Sequence, residues 1–189
     1  GACPLEEGLW EVITHGRGAR RRSAPFPMSE VPMKLELLFR EARSCRICEP
    51  HLPHGCRPLL QGSTRSRIIV IGQAPGAAAH ESGVPWRDRS GQRLRSWLGV
   101  TDEEFYDPDL VALLPMGFCY PGTGAGGDLG PRPECAPQWH ERLLAKFESV
   151  SLIVITGKYA FERYLGDKYD TLTDAVRAHD ELLPERIGL

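Results

Sequence analysis

The sequence predicts an α/β fold, a three-layer α/β/α sandwich around a mainly parallel central sheet. Three observations carry this expectation. The stretch Arg67–Ile71 holds a continuous apolar run without polar alternation, as in strands covered on both faces. Leu110–Leu114 and Leu152–Thr156 repeat the pattern further along the chain. Segments of helical periodicity separate these runs, and strands that alternate with helices build parallel sheets.

The elements follow in order. Met33–Arg43 places Met33, Leu35, Leu37, Leu38 and Phe39 among charges, which predicts a short amphipathic helix. Cys45–Gln61 is rich in Pro, His and Cys and reads as a loop before the first strand. Gly91–Leu98 is expected to be helical, with Leu94, Trp97 and Leu98 facing inward. Tyr120–Pro133 is a Gly/Pro loop, and Glu134–Glu148 a helix with Trp139, Leu143, Leu144 and Phe147 on one face. Lys158–Leu165 begins another helix, and Thr171–Leu183 a last one, with Asp174 early and Pro184 after it. His140 and His179 fall in helical segments and read as surface residues.

Length and composition narrow the class. A chain of 189 residues with 41% hydrophobic and 25% charged content suits one soluble domain. A formal charge of −2 excludes a strongly basic tail but leaves room for a local basic stripe. No apolar run reaches the ~20 residues that cross a bilayer, so no membrane partner is expected. The expected location is cytoplasmic, with the nucleoid if the source is bacterial, and the expected state is a monomer. Residues 1–32 read as a disordered or misassigned leader, although Arg17, Arg20, Arg21 and Arg22 also suit a nucleic-acid arm. Residues 33–189 form the expected domain. Its apolar finish at Ile187-Gly188-Leu189 suggests a domain cut before its C-terminal end.

Ligands on parallel sheets sit at the carboxyl ends of the strands. Here those ends are the Gln73–Gly76 turn and the Pro115–Pro121 segment. The first strand runs into Gly72-Gln73-Ala74-Pro75-Gly76, and Glu81-Ser82-Gly83-Val84-Pro85-Trp86 follows. Such a turn clamps a flat heterocycle with backbone N–H groups, because glycine permits close approach, while Trp86 offers one stacking face. Met116 and Phe118 are candidates to line the same pocket. Arg87, Arg89, Arg93 and Arg95 cluster at a helix start and suit phosphates, or else a solvated helix face. Lys158, after Thr156-Gly157, is similarly placed.

Of the six cysteines, Cys45-x-x-Cys48 is a chelating pair. Cys119 and Cys135 flank the Gly/Pro loop and offer two more ligands; Cys56, His51 and His54 are further candidates. Four thiolates suit tetrahedral zinc or an iron–sulfur cluster, and a redox pair or unconnected thiols remain alternatives.

In order and spacing these motifs resemble the uracil-DNA glycosylase superfamily, most closely its iron–sulfur branch, usually called family 4. Its Cys-x-x-Cys, Gly-Glu-Ala-Pro-Gly, Gly-x-Pro-Phe, Gly-Gln-x-Leu and Asn-Val-x-Lys-Cys-Arg-Pro-Pro segments precede a last lone cysteine. Their counterparts are Cys45–Cys48, Gly72–Gly76, Gly83–Trp86, Gly91–Leu94, Phe118–Gly122 and Cys135, within a likeness running from about Cys45 to Leu165. The resemblance implies a uracil-DNA-glycosylase-like fold and a repair enzyme that flips and excises uracil or a related deaminated base from DNA. It also implies a 4Fe–4S cluster, with zinc the alternative, on Cys45, Cys48, Cys119 and Cys135, leaving Cys56 and Cys3 as bystanders.

Departures from the pattern shape the expected chemistry. Gln73 stands where the branch has a water-activating acid, and Ala74 where the classical uracil enzymes have Asp. Pro115 stands at the uracil-reading Asn, four residues before Cys119. The family's closing His-Pro-Ser motif is absent. Gln73, His80 and Glu81 are the remaining candidates for the catalytic group, with Asp88 behind them. Two other readings stay open: a nucleic-acid-binding member with little or no excision, and a metal-stabilised domain for a nucleotide or phosphorylated metabolite. The last lacks both GxxxxGK[ST] and GxGxxG.

Overall fold

The computed structural model describes residues 34–178. The expectations for residues 1–32, Met33, His179, Cys3 and Ile187–Leu189 lie outside them.

Strand β1 (Ile68–Ile71) is central, and its neighbours β2 (Val111–Leu113) and β5 (Leu152–Ile155) both run parallel to it, in the order β2-β1-β5. Ile69 faces Ala112 on one side and Ile153 on the other. Successive side chains of a strand point to opposite faces, and the core divides accordingly. Ile69 and Ile71 pack with α1 (Leu35–Arg43), α5 (Cys135–Leu144) and α6 (Lys158–Tyr164) through Leu38, Trp139, Leu143 and Ala160. Val70 packs on the other face with Leu94 of α3 (Arg89–Leu98) and Phe105 of α4 (Asp102–Tyr106). Helices therefore cover both faces, and the expected three layers are present.

The remaining elements are short: a 3₁₀ turn at Glu49–His51, α2 (Ala77–Ser82), and α7 (Leu172–Arg177). Several expectations need correction. The Tyr120–Pro133 loop contains a small antiparallel hairpin, β3 (Thr123–Gly124) with β4 (Gly127–Asp128). Helix α4 was not expected, although Thr101 and Glu104 form a reciprocal capping box that marks its start. Trp97 points outward and is 75% exposed, its ring beneath the Arg93 guanidinium instead of in the core. Helix α5 ends at Leu144, yet Phe147 still enters the core from the turn beyond. Among the described residues no helix is long and apolar enough to cross a membrane.

Candidate active site

The Gly72–Gly76 turn leaves the carboxyl end of β1 and is fastened on both sides. Met116 N–H donates to the Gly72 carbonyl at 2.8 Å and Gly117 N–H to that of Gln73 at 3.0 Å. On the other side Thr156 N–H donates to Ile71 at 2.9 Å. Above the turn lies Trp86. A β-carbon on Gly72 would stand 2.5 Å from the indole ring and 3.4 Å from Thr156 Oγ1, so only glycine admits the ring here. The ring is half-buried, with one flank against the Val70–Leu94–Phe105 cluster.

Trp86 is held there by its backbone. Its φ is 58°, the single positive value at a non-glycine among the described residues. Gly91, in the first turn of α3, makes room for its carbonyl, which a β-carbon would meet at 1.8 Å. Arg95 Nη1 donates to that carbonyl at 3.3 Å. Asp88 caps α3, its Oδ1 accepting from Gly91 N–H at 2.8 Å and from the Ser90 hydroxyl at 2.6 Å.

The polar candidates border the turn unequally. Gln73 is half-buried, and its Nε2 donates to the Leu129 carbonyl at 3.2 Å. His80, on α2, sits in a ring cluster with His54 and Tyr120, and its Nδ1 is buried without a partner. Burial, then the neighbouring Arg57 cation and His54, hold its pKa below the ordinary imidazole value. Glu81 is exposed; its backbone carbonyl, like that of His80, accepts from Arg57 Nη1. Met116 is buried and borders a separate recess of about 450 Å³ with Tyr159, Glu162 and Arg163. Phe118 belongs to the core instead of lining the turn.

Arg87, Arg89 and Arg93 are exposed beside Trp86 and along α3. Arg95 does not join them, contrary to expectation. It is buried, pairs with Asp102 at 2.6 Å, and lies over the Phe105 and Tyr106 rings. The i, i+2 offset from Arg93 turns it to the inner face of the helix. Lys158 is exposed and pairs with Glu162 at 3.5 Å.

Cys45, Cys48, Cys119 and Cys135 line one small recess with Ala42, and Cys56 lines it too. Cys56 shares the recess without belonging to the expected ligand set. All five are free thiols. Phe118 N–H donates to Cys135 Sγ at 3.3 Å. Burial pushes Cys119 and Cys135 each up to about 12, so without a cation they stay protonated. Clustered thiols, one with an N–H donor already aimed at its sulfur, are a fitting donor set for a soft metal centre. Among the described residues no three Cys, His, Asp or Glu side chains converge on a single-ion position.

His140 is also a correction. It is 1% exposed and stacks between Phe118 and Tyr164, because the face of α5 that carries it turns toward the end of β2.

Comparison with known proteins matches residues 60–184 to the Uracil DNA glycosylase superfamily. The chain belongs to this superfamily. A type-4 uracil-DNA glycosylase of Thermotoga maritima is 24% identical over 144 residues, covering 74% of this chain and 70% of the relative. Another, of Archaeoglobus fulgidus, is 24% identical over 131 residues, covering 67% of this chain and 61% of that relative. In this uracil DNA glycosylase superfamily member the matched region includes the Gly72–Gly76 turn, Trp86, Cys119 and Cys135, whereas Cys45, Cys48 and Cys56 precede it.

Proposed function

We propose that this chain is a DNA-repair glycosylase that flips uracil or a related deaminated base out of DNA and hydrolyses its N-glycosidic bond. The observation that carries the reading is the Trp86 indole seated on Gly72 at the end of the central strand. A flipped base needs an aromatic face and fixed backbone dipoles in one place. The Ala74 and Gly76 N–H groups supply dipoles for a base carbonyl, while Pro75 keeps the turn rigid and the Met116 backbone fastens it to the end of the second strand. Arg87, Arg89 and Arg93 are placed for the phosphates flanking the flipped nucleotide. Gln73, His80 and Glu81 complete the polar rim.

The recess of thiols supports a 4Fe–4S cluster on Cys45, Cys48, Cys119 and Cys135. Ligands spread around a recess suit a cluster, whose thiolates bind separate iron atoms. One zinc needs every sulfur ~2.3 Å from a single point. When bound, the cluster supplies a staple between the loop after α1 and the start of α5, not chemistry on the base.

A second reading, nucleic-acid binding with little excision, is favoured by Pro115. Its carbonyl is taken by His140, and it offers no side-chain amide to a base. The test is excision from single-stranded oligonucleotides carrying uracil, hypoxanthine or xanthine, with Trp86→Ala as control. Alkali-labile cleavage that Trp86→Ala slows at least tenfold establishes the glycosylase and its base. Salt-sensitive binding without cleavage establishes the second reading.

A further inference from the structure

The turn lacks the acid of the resembled motif, yet a carboxylate reaches it from elsewhere. Gln73, at the acid's position, donates to the Leu129 carbonyl at 3.2 Å and so holds the β3–β4 hairpin against the turn. The residue before Leu129 is Asp128. Its Oδ1 lies 3.3 Å from both the Tyr120 and Thr123 hydroxyls, which are 2.5 Å from one another, so one hydroxyl donates to the other and the second donates to the carboxylate. With Oδ1 anchored, Oδ2 turns toward Gly76: it lies 3.1 Å from where a β-carbon on that glycine would stand. Asp88 Oδ2 lies 3.6 Å from the same point, while its Oδ1 caps α3. Two carboxylates from different loops thus meet at the one residue of the turn whose missing side chain leaves space between them.

We propose that Asp128 is the general base of the hydrolysis, with Asp88 as the positioning residue that holds the other side of the attacking water. The inference rests on the glycosylase reading above. Water forms the new bond from its oxygen to C1′ of the deoxyribose as the C1′–N bond breaks. The bonding pair leaves with the base. One water proton passes to Asp128 and on to solvent, and the departing base takes a proton from solvent, giving free base and an abasic sugar. Asp128 is exposed, as a base that exchanges its proton with bulk water must be. The Tyr120–Thr123 hydroxyl pair, through the one O–H left to donate, fixes the carboxylate's orientation before substrate arrives. Gln73 acts through the hairpin, as a positioning residue that seats the loop carrying Asp128.

The experiment is single-turnover excision of uracil from a single-stranded oligonucleotide by the wild type, Asp128→Asn, Asp128→Glu and Asp88→Asn. Binding is measured in parallel with a cleavage-resistant 2′-fluoro-deoxyuridine strand. Asp128→Asn should lower the rate about 100-fold or more, with affinity and thermal midpoint within error of wild type. Asp128→Glu, which keeps the charge but moves it, should fall between, and Asp88→Asn should cost less than Asp128→Asn. Wild-type excision with Asp128→Asn within threefold of it overturns this assignment and leaves the glycosylase reading standing. Loss of activity in Asp128→Asn only in step with lost DNA affinity also overturns it. No excision of any base by the wild type overturns both.

Discussion

Tyr164 donates its hydroxyl proton to Nδ1 of His140 at 2.6 Å, while Nε2–H of the same imidazole donates to the Pro115 carbonyl at 2.9 Å. A carbonyl can only accept, so Nε2 carries a proton, and burial keeps the ring neutral with Nδ1 left to accept. Burial lowers the His140 pKa from 6.5 to about 4 and pushes the Tyr164 hydroxyl up to about 12. The unfolded chain therefore binds a proton at this site between pH ~6.5 and ~4 that the folded chain refuses. Stability from this group is full above the upper value and is lost as pH falls through the window, by up to about 3 kcal/mol. Urea unfolding at pH 7 and pH 4.5 measures it; His140→Gln should show a pH dependence smaller by about that amount.

Gly72 and Trp86 occupy each other's space. Gly72→Ala would push a methyl group into the indole and displace it from the turn. Base–aromatic stacking contributes about 1–3 kcal/mol, so Gly72→Ala and Trp86→Ala should each slow excision by about 10–100-fold. Trp86→Phe should stay close to the parent. Single-turnover rates on the uracil strand decide this.

Placing the acid of the resembled motif at position 73 should not help. Gln73 donates to a carbonyl, and Glu at this position would offer an acceptor to an acceptor. Gln73→Glu is expected to slow excision by about tenfold or less, the scale of one hydrogen bond. A gain in rate would mean that the turn itself takes the acid role.

Exposed and buried arginines of α3 should separate in a salt titration. Arg89→Ala and Arg93→Ala should each reduce the slope of log affinity against log salt by ~0.7 for single-stranded DNA. Arg95→Ala should leave the slope unchanged and lower stability by about 2 kcal/mol, since its cation is bound to Asp102 and the Trp86 carbonyl.

Metal content distinguishes the five thiols. Iron and acid-labile sulfide per chain, measured after anaerobic purification, should be lost in Cys135→Ala and retained in Cys56→Ala. Zinc at one ion per chain without sulfide would replace the cluster by the alternative centre.

Much of the fold was legible because β-branched runs such as Ile68–Ile71 and Leu152–Ile155 have few other places to go than a covered sheet. The thiol recess was legible too, through spacing and resemblance, except for Cys56, whose approach to Cys119 depends on the path of a loop. Trp97 and Arg95 were misassigned for a common reason: a helix short in apolar residues leaves its rotation about the axis weakly specified by periodicity. His140 was unreadable because its partners, Pro115 and Tyr164, come from two other segments. Asp128 escaped for the same reason, since nothing local marks one aspartate in a Gly-rich loop as facing a turn 52 positions earlier.

The left-handed backbone of Trp86 sets two selective pressures against one another. Such a conformation at a bulky residue costs of order 1–3 kcal/mol, and glycine would relieve it. A search for hardier variants by thermal challenge alone should therefore drift toward glycine at position 86, removing the indole from Gly72. Libraries screened for heat tolerance would enrich chains that melt later and repair less, and position 86 would report the divergence first.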